Sequence, residues 1–230
     1  MAPLVAATAP NCLITNDWVC WKYVRDYQDD LITATRQHVF ITVTSVLIGL
    51  AVALPLSLVA RRLPRLELLL LGVTTAIYTI PSLALFSLLI PFTGLGSDTV
   101  IVGLVLYSLT ILMRNILAGL AGVPEDVKEA ARGMGYGTGR LLWKVELPLA
   151  LPSIMAGLRV ATVSTVALTT IGAIVGAGGL GTLLYQAFNS IFKAQIFTAS
   201  VLCVLLAIIF DLLLLTVQRL LTPWTRGKSS

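Results

Sequence analysis

Charge is scarce in this sequence. Only 12% of its 230 residues are Asp, Glu, Lys or Arg, about half the share found in a soluble domain. Histidine is rarer still: His38 stands alone, so neither histidine-based catalysis nor a histidine metal site has partners, and His38 reads as a polar residue at a membrane boundary. No arrangement of Ser, Cys or carboxylates suggests a hydrolytic centre. A phosphate-binding loop is also missing. The closing string RGKSS has Thr222 where that motif needs a glycine before Gly227, and no other lysine sits in a Gly-Lys-Ser/Thr setting. The formal net charge is +5, yet no basic stretch interleaves with aromatics as nucleic-acid binding would require. The opening MAPLVAATAP lacks the basic start and apolar run of a cleaved leader, so the first span is expected to act as an uncleaved signal.

Apolar residues fill the space that charge leaves, at 57% of the chain with a mean hydropathy of +0.92. They are gathered into five blocks near 39–60, 68–92, 99–122, 149–175 and 196–221, each about the 20 residues that a membrane-crossing helix needs. In lipid a backbone must satisfy its own hydrogen bonds, and the alternating pattern of a barrel is absent, so helices are expected. The composition therefore predicts an all-α integral membrane protein with five transmembrane helices.

Lys and Arg set the orientation. With the N-terminus outside, Arg61, Arg62, Arg65, Lys128, Arg132, Arg140, Lys144, Arg219, Arg226 and Lys228 fall inside, ten of the sixteen, against Lys22, Arg25, Arg36 and Lys193 outside. The C-terminus is then cytoplasmic. Residues 1–38 form an extracytoplasmic segment. Its part WKYVRDYQDDLITATRQH (21–38) is too polar to span, and Tyr23, Tyr27, Leu31 and Thr35 recur at helical spacing. It reads as an interfacial helix leading into a membrane domain over 39–222, with 223–230 as a cytoplasmic tail.

The charged, glycine-rich stretch 123–148 interrupts the apolar blocks on the inner side. Pro124 suits a first helical position, and Glu125 and Asp126 suit the positive end of a helix. Gly133 and Gly135 offer places to end it, and Thr138 can cap a second short helix bearing Leu141, Leu142 and Val145 on one face. Pro148 and Pro152 bound the passage into the fourth block. The small Ala130 and Ala131 leave room for another surface to approach.

Glu129, Ala130, Ala131, Gly135, Val145, Leu147 and Pro148 reproduce, at every spacing, the EAA loop of ABC-importer permeases, with Val for the common Ile. The chain resembles that family. YTIPSLALFSLLIPFTGLG (78–96) and VGAGGLGTLLYQA (175–187) are similar to its osmoprotectant branch, which imports glycine betaine, choline, carnitine and related solutes. The resemblance covers roughly 35–222. It implies a type I importer transmembrane domain like that of methionine permeases and a pair of coupling helices seated in an ATPase subunit. It also implies a second permease, identical or a sister, two ATPase subunits holding ATP and magnesium, and an extracytoplasmic binding protein. The chain itself is then no enzyme and binds no cofactor, in a bacterial plasma membrane. Methionine or another amino acid is the alternative cargo. An ion-coupled secondary transporter is the rival class, but five spans do not halve into repeats and Asp211 is the lone acid within them.

Within the blocks, Arg114, Arg159 and Asp211 sit at similar depth, about 12–15 Å from the inner boundary at 1.5 Å per residue. Charge at that depth needs pairing, so Asp211 is expected to hold Arg159 or Arg114, unless the arginines snorkel. A path for quaternary ammonium solutes favours aromatic faces and hydroxyls. Tyr78, Thr79, Ser82, Tyr107, Thr165, Thr169 and Thr170 are candidates, each equally readable as helix packing. GAGGLG (176–181) matches a dinucleotide fingerprint only in letters and reads as a helix break with close packing. Cys203 reads as packing. Cys12 and Cys20 lie on the expected outer side, where they are either bridged, worth roughly 2–3 kcal/mol locally, or two free thiols.

Overall fold

The computed structural model describes residues 11–224; the opening MAPLVAATAP, and Arg226, Lys228 and the RGKSS string, lie outside the described residues. All regular structure among the described residues is helical. Four helices are long and apolar enough to cross a membrane, and a pair bent by 103° makes a fifth crossing if it is one broken span.

A short helix α1 (Cys12–Thr15) and α2 (Trp21–Asp26) precede α3 (Gln28–Ala60). The stretch expected as a separate interfacial helix is therefore mostly the opening of α3. The reason is visible in its buried face: Leu31, Ala34, His38, Ile41, Thr42 and Ser45 continue one helical stripe from polar into apolar sequence. Asp29 and Asp30 favour its N-terminal end. His38 belongs to this stripe. It is fully buried, and its Nε2–H donates to the Val166 carbonyl at 3.0 Å.

The second apolar block becomes α4 (Pro64–Thr79) and α5 (Ser82–Thr93), bent by 103°. Pro81 cannot donate a hydrogen bond and pushes Ile80 into extended backbone at ψ 128. The carbonyls released by this break sit at membrane depth and need donors. Helix α6 (Ser97–Ala121) supplies one: Tyr107 donates its hydroxyl to the Ile80 carbonyl. Thr79 serves the Ala76 carbonyl from within α4, and farther back Thr110 of α6 ties the two helices by donating to the Thr74 carbonyl at 2.7 Å.

Two further short helices, α7 (Glu125–Gly133) and α8 (Thr138–Leu141), lead through a π-helical segment (Leu142–Glu146) into α9 (Leu147–Thr169). A 3-10 stretch (Thr170–Val175) ends α9. Helices α10 (Leu180–Ser190) and α11 (Lys193–Leu221) complete the chain. Helix α6 is the centre of the bundle, packed on α3 and α9. Its Leu112, Met113, Ile116 and Leu120 share a core with Ala53, Leu142, Ala150, Ile154 and Ala161. Helix α11 fully buries only Ala194 and Ala199; it packs on α9 and α10 and leaves side chains such as Val204, Leu205, Ile208, Ile209 and Leu212 exposed to lipid or another subunit.

On the side of α1, Cys12 and Cys20 are joined by a disulfide. The loop it closes is tied to the α10–α11 turn through Asn16, which accepts from the Lys193 N–H and donates to the Ile191 carbonyl, each at 2.9 Å. Tyr23 packs beneath, edge-on to Phe192 at 5.3 Å between ring centres. Burial, aided by the Asp30 charge and Tyr27, pushes its phenol up to about 12.

Candidate functional site

The loop between α6 and α9 is anchored at both ends in the core, by Val123 and by Leu142. Glu125 in the first turn of α7 accepts from Lys128 Nζ at 2.9 Å and from Arg132 Nη1 at 2.8 Å. Those two hydrogen bonds, Lys128 foremost, hold its carboxyl below the usual range. The helix ends in a Schellman arrangement: Tyr136 N–H bonds to the Ala131 carbonyl at 3.1 Å and Gly135 N–H to the Arg132 carbonyl at 2.9 Å. This closure needs a left-handed residue, and Gly135 supplies it at φ 83. The Arg140 guanidinium lies 4.8 Å from the centre of the Tyr136 ring, so the start of α8 is held back against the turn.

Helix α7 and its cap are exposed nearly all round, with Val127, Glu129, Ala130 and Met134 among the exposed residues, the last 70% exposed. Ala131 is the exception. It is 2% exposed, turned inward against its own chain, so of the two alanines only Ala130 is available to a partner. Gly137, not Thr138, occupies the cap position of α8. Pro148 and Pro152 do not break the passage into the fourth span. The ladder shifts instead to π spacing, with Leu147 N–H bonding to the Leu142 carbonyl, one residue before the proline that cannot donate. Val145, Leu147 and Pro148 are half-buried along this passage.

Deeper in the bundle, Asp211 receives a two-point fork from Arg159: Nε and Nη2 each lie 2.8 Å from a carboxylate oxygen. Arg114 lies elsewhere and donates to Thr75 Oγ1 at 2.9 Å. The candidate pathway residues separate into two groups. Thr165 and Thr169 are buried, their hydroxyls bonded to carbonyls one turn back, and Thr169 faces Thr42 of α3 at 3.4 Å; they pack helices. Tyr107 is likewise buried, committed to the bend at Ile80. Tyr78 remains 44% exposed, its ring edge-on to Tyr107 at 5.7 Å. Thr79 and Thr170 bond to their own helices, at Ala76 and Ala167, and Ser82 is half-buried at the start of α5.

The GAGGLG string is a seat for α3. Gly178 and Gly179 have φ of 82 and 75, and Gly179 N–H donates to Gln37 Oε1 at 3.0 Å. A side chain at Gly178 would strike that Gln37 oxygen at 2.6 Å. No strand precedes the string among the described residues, so a dinucleotide fold has no basis.

The pair Arg61–Glu146 was not singled out in the sequence. Arg61 Nη2 lies 2.7 Å from Glu146 Oε2, joining the end of α3 to the end of the π segment. An acid lodged between Val145 and Leu147 in an apolar setting was the available signal.

Residues 45–227 match the family described as binding-protein-dependent transport system inner membrane component. The chain is 34% identical over 194 residues to the carnitine transport permease protein OpuCB of Listeria monocytogenes, covering 84% of this chain and 89% of that protein. It is 34% identical to the choline transport system permease protein OpuBB of Bacillus subtilis, over 88% of this chain and 93% of the relative. It is 35% identical to the osmoprotectant import permease protein OsmW of Salmonella typhimurium, over 87% and 96%. Among solved structures, an inward-facing form of the MetNI methionine ABC transporter shares the fold at a TM-score of 0.76 and 24% identity, covering 86% of this chain and 98% of that one. With its helical bundle, its two-helix loop and these matches agreeing, the chain belongs to the family of binding-protein-dependent transport system inner membrane components.

Proposed function

We propose that the chain is the transmembrane permease subunit of an ATP-driven importer for small quaternary ammonium osmoprotectants such as glycine betaine, carnitine or choline. The observation that carries this reading is the identity of 34–35%, over 84–88% of the chain, to permeases named for carnitine, choline and osmoprotectants. The methionine reading has weaker support, since the methionine transporter shares the fold at 24% identity. Two permeases, identical or paired with a sister, enclose the path. An extracytoplasmic binding protein delivers the solute, and two ATPase subunits, which hold ATP and magnesium, grip the loop at Glu129 and Ala130 on the cytoplasmic side. The N-terminus lies outside. Solute passes along the side where Tyr78 is exposed and Arg114 is held by Thr75 rather than by a carboxylate.

The complex reconstituted in vesicles with its ATPase and binding protein tests this. Glycine betaine, carnitine or choline is expected to stimulate ATP hydrolysis and to accumulate inside, while methionine does neither. Stimulation by methionine alone would overturn the substrate assignment. Placing a bulky side chain on the docking face, Ala130→Trp, is expected to abolish ATPase retention on affinity purification while the permease still inserts. Retention of the ATPase at full level would overturn the loop assignment.

A further inference from the structure

The ion pair between Arg61 and Glu146 is buried at its acidic end, where the Glu146 side chain is 8% exposed against 25% for Arg61. Buried pairs of this kind are poor stabilisers, because the cost of desolvating two charges offsets their attraction. Ordinary packing of an apolar pair would hold these elements together as well. What the pair has that an apolar contact lacks is direction and length: a charge-assisted hydrogen bond resists sliding and rotation that greasy contacts permit.

Its position is equally specific. Arg61 follows the last turn of α3, with its own N–H bonded to the Ser57 carbonyl at 3.0 Å. Glu146 closes the π segment at the root of the loop that carries Glu129 and Ala130. A π segment is a weak point in a helix, with one more residue per bond than its neighbours and poorer stacking. A loop pushed from outside the membrane would bend there, before α9 felt the load. The pair bridges that weak point and joins it to a different span.

We propose that Arg61–Glu146 is a transmission strut, by which displacement of the 125–146 loop is delivered to the inner end of the first span as well as to α9. The proposal rests on the reading of this loop as the face that an ATPase subunit moves. Arg61 and Glu146 act as positioning residues, since neither touches solute or nucleotide. With the strut cut, the loop still engages the ATPase and hydrolysis continues, but the bundle follows incompletely. Cutting it therefore lowers the number of solute molecules imported per ATP rather than the rate of hydrolysis.

The test uses the full complex in sealed vesicles with its binding protein, and records solute uptake and phosphate release in the same sample. Glu146→Gln and Arg61→Gln are each expected to lower the solute-to-ATP ratio roughly five- to ten-fold, in the range of direct side-chain coupling. The exchanged pair Arg61→Glu with Glu146→Arg is expected to bring the ratio back to within about two-fold of the parent's. The apolar pair Arg61→Met with Glu146→Leu preserves packing without charge, and is expected to assemble normally with a low ratio. An unchanged ratio in both single variants and the apolar pair overturns the strut. Loss of assembled complex in Glu146→Gln and in the apolar pair also overturns it, since the residues would then serve folding alone. Absence of ATP-dependent uptake in the parent complex instead defeats the functional reading beneath it.

Discussion

Gly157 lies on α9 where it crosses α6, and its replacement by alanine puts helix propensity in direct conflict with packing. A Cβ placed there meets Asn115 Cβ at 2.3 Å and Asn115 Cγ at 2.7 Å. The obstructing Cβ is fixed to the α6 backbone, and the Asn115 amide is tied to the Ile111 carbonyl at 2.8 Å. No rotamer change clears it, so the helices must part by about 1 Å to reach ordinary contact. A gap of 0.5–1 Å forfeits roughly a quarter to a half of each affected dispersion contact. The seam involved carries Leu112, Met113, Ile116, Ala150 and Ile154. Overpacking of this kind costs about 3 kcal/mol at the upper end of its usual range, and the better helix propensity of alanine returns about 1 kcal/mol. The net expectation for Gly157→Ala is about 2 kcal/mol of destabilisation, or roughly 4–8 °C in melting temperature for a chain of this size. Gly139 in α8 is the control, since nothing lies within 4 Å of a Cβ built there; Gly139→Ala is expected to be neutral or slightly stabilising. Thermal unfolding of the purified permease in mild detergent, read by tryptophan fluorescence, compares the two. A melting temperature for Gly157→Ala at or above the parent's, or an equal fall in both variants, refutes the argument.

Asp211→Asn removes the negative charge and one of the two acceptor oxygens of the fork, leaving the Arg159 charge uncompensated; a reduced monodisperse fraction on size-exclusion chromatography is expected, with recovery when Arg159→Leu is added. Unchanged assembly and transport in Asp211→Asn would contradict it. Tyr23 titrates late, at about 12, above the 10 or so of a free phenol. Its contribution to stability is thus complete below pH ~10 and is lost as pH rises towards 12; an ultraviolet tyrosinate titration of Tyr23→Phe should lack the last step seen in the parent. Reducing the Cys12–Cys20 bridge is expected to cost about 2–3 kcal/mol of local stability, visible as faster amide exchange at Lys193. Unreduced peptide mapping that finds two alkylatable thiols would contradict the bridge.

Some of this architecture was legible in the sequence because the responsible interaction is local. The five apolar blocks announce the candidate crossings, and Gly135 announces the end of α7 because a Schellman closure favours glycine at that place. The glycines at 178 and 179 announce close packing for the same kind of reason. The break at Pro81 is not announced, since Pro91 in the same block sits within α5 without ending it. Long-range partners were not legible. Asp211 had two arginines at similar depth, and sequence spacing alone cannot choose between Arg159 on α9 and Arg114 on α6. The hydroxyls of Thr165, Thr169 and Tyr107 are equally suited to a path or to a buried carbonyl, and only the packing of α3, α4 and α6 against them decides for the carbonyl. Ala130 and Ala131 are identical letters with opposite surroundings, because adjacent residues on a helix point about 100° apart. Arg61 and Glu146 are 85 residues apart, beyond the reach of any local pattern.

The bend at Ile80 has a consequence for how the polypeptide is laid into a bilayer. Helix α4 has 16 residues and α5 has 12, which at 1.5 Å each reach about 24 and 18 Å, short of the ~30 Å hydrocarbon slab. Neither half is a stable passage by itself, and the Ile80 carbonyl at their junction takes its hydrogen bond from Tyr107 on the next helix. During synthesis the second passage must therefore wait for the third, and the two settle as one unit: the order of translation is not the order of completion.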